Sequence, residues 1–192
     1  LAIRYSTLRD SFTLFGVLFY IQVLTFIFGL GGGFNFGDVD RDLEGSVANQ
    51  VCGLITLLVP LFFFIRNKVF LSKTFYRSNV FLLLFLLTVI ASIGWSYDPM
   101  LSLKRVVAML SVVFFAGFIA YNYPLEKITF MLGCAIGVAA LIGLILAVVM
   151  PSVAFLSGGI RDGAFKGIFA EKNAGARLNA IAILLLLPMI RK

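Results

Sequence analysis

The chain has 192 residues, 61% hydrophobic and only 13% charged, with a formal net charge of +7 and no histidine. Soluble domains run at roughly 45–50% apolar and about 25% charged. A soluble chain of this length still exposes about 30% of the surface its unfolded form exposes, too much for this composition. A water-soluble globular protein is therefore excluded. The absent histidine also excludes imidazole metal sites and every Ser–His or Cys–His nucleophile pair.

From the N-terminus, Arg4 and Arg9 precede an uncharged run over Ser11–Leu30. That run is long for a secretory signal, and Gly31-Gly32-Gly33 followed by Phe34 makes a poor cleavage site. Next comes "FNFGDVDRDLEG", in which Asp38, Asp40, Asp42 and Glu44 alternate as in a calcium loop. Leu43 stands where an EF-hand requires Gly, and the twelfth position is Asn49 and not Glu. The segment reads as a solvated acidic loop.

A second uncharged run covers Val47–Ile65, with Cys52 inside it and Pro60 as an expected kink. The loop over 66–78 holds Arg66, Lys68, Lys73 and Arg77 and no acid. Further runs follow over Asn79–Trp95, Pro99–Tyr121, Ile128–Met150 and Ala174–Ile190. Lys104 and Arg105 lie in the opening turns of the fourth. The fifth contains Cys134 and a small-xxx-small pair, Gly133 and Gly137, suited to close helix packing. Both cysteines read as small buried side chains.

A bilayer core of about 30 Å asks for roughly 20 apolar residues per helix, and backbone groups in lipid must bond internally. The expectation is an all-α, polytopic transmembrane helix bundle of six spans, over 11–30, 47–65, 79–95, 99–121, 128–150 and 174–190. It forms a single domain over 1–192. A chain that opens at Leu1 and stops at Lys192, directly after a span, reads as the N-terminal half of a longer protein.

Orientation follows from Lys and Arg. With the N-terminus cytoplasmic, nine fall inside and seven outside, and the early loops carry the contrast, four cations against an acidic segment. Trp95 and Tyr97 then stand at the outer interface, and Tyr121 and Tyr123 at the inner one. Six of the seven outer cations cluster in two places, Lys104–Arg105 and the stretch Arg161–Arg177. Asp98 then Pro99 reads as an N-cap followed by the first helical residue. Asn173 reads as the N-cap of the last helix, with Arg177 four residues on. Helix N-termini beside cations make an anion site, and Gly158, Gly159, Gly163 and Gly167 free the intervening backbone to approach a ligand. The competing reading is that these cations anchor the span ends to lipid head groups.

Two stretches, "WSYDPMLSLKRVVAML" and "GAFKGIFAEKNAGARL", resemble the O-antigen ligase and polysaccharide polymerase family of bacterial inner-membrane proteins. The resemblance covers roughly residues 80–190. It rests on Trp95, Ser96, Asp98, Pro99, Ser102 and Arg105, and on Phe165, Gly167, Ile168, Phe169, Lys172 and Asn173. Lys166 stands where Arg is usual, and Glu171 where His is common among exopolysaccharide polymerases. The family's late periplasmic loop with essential Arg or His has no counterpart here.

The resemblance implies a glycosyltransferase-type enzyme of exopolysaccharide or lipopolysaccharide O-antigen biosynthesis. It would move an oligosaccharide from undecaprenyl pyrophosphate to another sugar without metal, cofactor or nucleotide. Lys104, Arg105, Lys166, Lys172 and Arg177 would hold the pyrophosphate, Asn173 would cap the helix pointing at it, and Glu171 is the sole candidate base. Implied partners are the lipid-linked glycan, membrane lipid and polysaccharide export components, with no nucleic acid. A transporter or flippase for an anionic lipid or metabolite is the alternative. It would want broken helices and charges near the midplane, whereas the charges here lie near span ends.

The orientation is open to direct test. Single cysteines at Asn35 and Ser157 should react with a membrane-impermeant maleimide in intact spheroplasts, and one at Ser72 should not. Labelling at Ser72 alone reverses the topology.

Overall fold

Backbone N–H and C=O groups within hydrocarbon find partners only inside their own segment, which makes the helix the default element. The computed structural model describes residues 2–27, 47–69, 73–155, 163–169 and 172–190. Outside those residues lie Gly31–Gly33, the acidic positions Asp38, Asp40, Asp42 and Glu44, and also Gly158, Gly159, Arg161, Glu171, Arg191 and Lys192. Among the described residues the fold is all-α, with one isolated antiparallel bridge between Phe155 and Phe165.

In chain order the helices are α1 (Ala2–Tyr20), α2 (Val23–Ile27), α3 (Val47–Arg66), α4 (Lys73–Ser78) and α5 (Val80–Ala91). A 3₁₀ turn over Ser92–Trp95 leads to α6 (Pro99–Asn122), α7 (Leu125–Val149), α8 (Pro151–Ala154) and α9 (Lys172–Ile190). Three stretches are long and apolar enough to cross a membrane: Asn49–Arg66, Pro99–Asn122 and Leu125–Val149. At 1.5 Å per residue the last two reach about 36 Å, ample for a core of about 30 Å. Val80–Trp95 and Asn173–Leu187 are shorter apolar helices. The expected run over 11–30 is not one rod. Its helix stops at Tyr20, and Gln22 takes a left-handed backbone, φ 68°, before α2 begins.

Contacts divide the chain into two units, residues 1–49 with 123–192, and residues 50–122. In the second unit α3 runs on through Pro60 without a break. Pro60 lacks the N–H that would bond the Thr56 carbonyl. The Thr56 hydroxyl in turn donates within the helix, lying 2.9 Å from the Gly53 carbonyl and 3.1 Å from that of Cys52. The core here is aromatic. Phe63 meets Phe118 edge-on at 5.1 Å and Tyr121 at 5.5 Å, a geometry the ring quadrupoles favour. Gly117 lets the Phe64 ring come close, since a Cβ there would sit 3.3 Å from its Cζ. Helix α5 buries none of its residues.

In the first unit α9 packs along α7. A Cβ on Gly133 would stand 2.5 Å from Leu186 Cδ2, so Leu186 would have to shift to admit one, whereas Gly137 has nothing within 4 Å. Only half of the small-residue pair serves packing. The cysteines also depart from expectation: Cys134 is exposed on α7 and Cys52 is half-exposed. In a helix long and apolar enough to cross a membrane, an apolar side chain can face lipid as readily as a core.

Where α7 begins, a polar cluster ties it to α1. The Tyr123 hydroxyl donates to Asp10 Oδ1 at 2.5 Å and lies 3.1 Å from the Thr13 hydroxyl. Two cations face its ring, Arg9 with Cζ 5.0 Å and Lys127 with Nζ 4.6 Å from the centroid. Burial first, and then the bond to Asp10, hold the phenol above its ordinary pKa. The Asp10 carboxyl, ahead of the apolar run that opens at Ser11, is held below the usual carboxylate range, chiefly by that hydroxyl. A depressed carboxylate stabilises the fold above its unfolded pKa, and the contribution disappears as pH falls through the lower folded value. Tyr123→Phe should therefore lower the melting temperature in detergent at pH 7. The gap to the native protein should close once pH falls below the Asp10 value; a gap constant with pH refutes the link.

Candidate functional site

The Trp95–Arg105 stretch builds a helix start. The Asp98 carboxylate accepts the Leu101 N–H at 3.0 Å, satisfying a donor that α6 would otherwise leave orphaned. The Ser102 N–H reaches the Asp98 carbonyl at 3.1 Å. Ser96 closes the arrangement: its hydroxyl accepts the Asp98 N–H at 3.2 Å and lies 2.6 Å from the Ser102 hydroxyl. The expected cap, Asp98 then Pro99, is thus present, and Ser96 and Ser102 lock it. Lys104 and Arg105 follow in the first two turns, both exposed.

The other expected site residues belong to the first unit. Here the structure departs from the sequence reading in three ways. Helix α9 opens at Lys172, so Asn173 is its second residue and not its cap, and Asn173 and Arg177 are exposed. Glu171 lies outside the described residues. The glycines act on the protein itself. Gly163 and Gly167 do take left-handed backbone, φ 75° and 65°, which an L side chain resists. Yet the Lys166 and Gly167 N–H groups both donate to the Ala154 carbonyl, at 2.9 and 3.1 Å, and so are not turned toward a ligand. A Cβ on Gly143 would lie 3.2 Å from Gly167 Cα, and one on Gly175 would lie 2.7 Å from the Phe169 ring. Glycine here lets the 163–169 segment press against α7 and α9.

That pressing carries Lys166 inward. Its exposure is only 8%, in contrast with Lys104, Arg105 and Arg177, which stand in the open. Burial holds its ammonium below the ordinary lysine pKa, because the charged form loses solvation. Lys166 lines a cavity of about 210 Å³ between α7 and α9, walled by Ala139, Ala140, Gly143, Phe165 and Ala176. Asn179, on the second turn beyond Asn173, adds an amide to the same wall. No carboxylate borders the cavity among the described residues. The arrangement can hold an anion beside hydrocarbon.

Sequence reasoning missed Asn179, although a signal was present, an amide within a run of Ala and Leu. It also missed the Asp10–Tyr123 contact, for which a separation of 113 positions leaves no local sign. No group of His, Cys, Asp or Glu able to hold a metal ion occurs among the described residues. Compared with family models, curated proteins and solved structures, the chain matches none.

The α6 cap yields a measurable consequence. Asp98→Ala should destabilise the protein by about 1 kcal/mol, the usual worth of an N-cap, and Asp98→Ser should restore most of it. Equal thermal unfolding of Asp98→Ala and the native chain would show that the cap carries no stability.

Proposed function

We propose that this chain is part of a membrane enzyme of the O-antigen ligase and polysaccharide polymerase kind, in a bacterial inner membrane with its N-terminus cytoplasmic. It acts on an oligosaccharide carried by undecaprenyl pyrophosphate, in exopolysaccharide or O-antigen synthesis. The acceptor hydroxyl gives its proton to a base, for which Glu171 is the candidate, and attacks the anomeric carbon; the sugar–phosphate bond breaks, and the pyrophosphate leaves with its charge. Fixed cations aimed at that developing charge supply the catalysis. Lys166, Lys172 and Arg177 are assigned to the pyrophosphate, and the motif resemblance assigns Lys104 and Arg105 to the same substrate.

The observation that carries this reading is Lys166, a cation 8% exposed in a hydrocarbon-lined cavity at the start of an apolar helix. Simple anchoring needs a cation that reaches head groups, and a side chain drawn into a cavity does not serve it. A transporter or flippase for an anionic lipid is the second reading. The break at Gln22 and the burial of Lys166 are features that it would use.

In the full-length protein, Arg177→Ala should lower polymer output roughly ten- to hundred-fold at unchanged membrane level, the loss expected for one charge-assisted hydrogen bond. Arg177→Lys should recover part, since charge survives without the planar fork. Arg66→Ala is the control. Equal yields from Arg177→Ala and Arg66→Ala would make the cations anchors. Net movement of lipid across vesicles without glycosyl transfer would favour the second reading.

A further inference from the structure

Residues 66–78 join the apolar helices α3 and α5, so the charges there stand where the hydrocarbon ends. The segment holds Arg66, Lys68, Lys73 and Arg77 and no acid. Arg66 belongs to the last turn of α3, where the helix dipole itself favours a positive charge. Arg77 closes α4, a helix of six residues, yet the Phe75 carbonyl already accepts the Asn79 N–H at 3.1 Å and its side-chain amide at 2.9 Å. Across residues 50–122 the single acid is Asp98, and its carboxylate is occupied in capping α6. The one ion pair among the described residues, Arg9 with Asp10, belongs to the other unit.

Lys68 carries a second observation. It is exposed, and its N–H reaches the Ile65 carbonyl at 3.1 Å from a left-handed backbone, φ 53°. Glycine takes that conformation freely and asparagine at small cost, whereas a lysine is held there at the expense of the fold. A residue kept in such a conformation points to a use beyond folding. Tyr76 is 51% exposed and Arg77 is exposed beside it in sequence, an aromatic and a cation of the kind that sits at head-group depth.

We propose that Lys68, Tyr76 and Arg77 form a docking surface for the head groups of anionic phospholipids, so that this end of α3 gathers them in preference to zwitterionic lipid. The occupant is a lipid because the surface adjoins a helix long enough to cross the bilayer, where phosphodiesters are the nearest anions. Each cation at such a boundary enriches anionic lipid roughly fivefold. The inference is independent of the transfer reading, since it invokes neither sugar nor pyrophosphate. Its rival is a charge that orients the chain during insertion and has no further use.

Photocrosslinking separates the two. The full chain carrying Tyr76→p-benzoylphenylalanine is reconstituted in vesicles of phosphatidylglycerol and phosphatidylcholine in equal amounts, and the lipid adducts are weighed by mass spectrometry. Both leaflets have the same composition, so the direction of insertion does not matter. Phosphatidylglycerol adducts should prevail several-fold. Lys68→Asn and Arg77→Gln should each lower the ratio by up to about fivefold, and together bring it near one. Lys68→Asn should melt no lower than the native chain, because asparagine suits the left-handed backbone better. Inorganic phosphate, against chloride at the same ionic strength, should leave the ratio unchanged. Equal capture of the two lipids overturns the proposal, and leaves the cations to orientation or to a soluble acidic partner. It is overturned as well if the double variant keeps the native ratio, or if inorganic phosphate alone abolishes it. Should the double variant fail to fold, the native ratio and Lys68→Asn still decide.

Discussion

The carbonyl of Ala154 accepts two backbone N–H groups, from Lys166 at 2.9 Å and Gly167 at 3.1 Å, and the candidate site depends on that one oxygen. Unpaired donors among apolar walls are costly, so a segment entering such surroundings has to bring its N–H groups to an acceptor. Ala154 is fully buried at the end of α8, a helix too short to use all its own carbonyls. Once both donors are seated there, the 163–169 segment has little freedom. Gly167 turns left-handed, a Cβ on Gly143 would press to 3.2 Å from Gly167 Cα, and Lys166 lines the cavity between α7 and α9. Backbone pairing to Ala154 thus fixes where the Lys166 side chain starts from.

The cations therefore divide into two physical kinds. Lys104, Arg105 and Arg177 are exposed, and their fields fade over a Debye length of about 8 Å at physiological salt. Such charges act weakly on anything beyond that distance. Lys166 lines a cavity among apolar walls, where a charge is screened less. The two kinds looked alike as Lys and Arg in a run of sequence and differ in burial.

What the sequence made legible was what local rules govern. Run length located α3, α6 and α7 to within a few residues, because the bilayer sets length and composition directly. The Asp98–Pro99 start of α6 was legible for the same reason, since a cap bonds three residues away. The start of α9 was misplaced by two positions, Ala174 for Lys172, within the ordinary margin at a helix end. The break at Gln22 had no sign, as neither glycine nor proline marks it. Nor could the sequence show that Lys166 is buried. That depends on Ala154 and Gly143, twelve and twenty-three residues earlier, and on Gly175 beyond it. The likeness of the two motifs to polymerases and ligases pointed to residues and said nothing of their surroundings.

The order of these parts along the chain has a consequence for biogenesis. Gly143 and Ala154 precede Lys166, whereas Gly175, Ala176 and Asn179 follow it. In vectorial synthesis the first wall and the acceptor oxygen exist when Lys166 leaves the ribosome, and the second wall does not. The ammonium can stay hydrated until α9 emerges and shuts over it. Its desolvation is thereby deferred to the final packing of α9 against α7, and insertion of the earlier helices proceeds without that penalty.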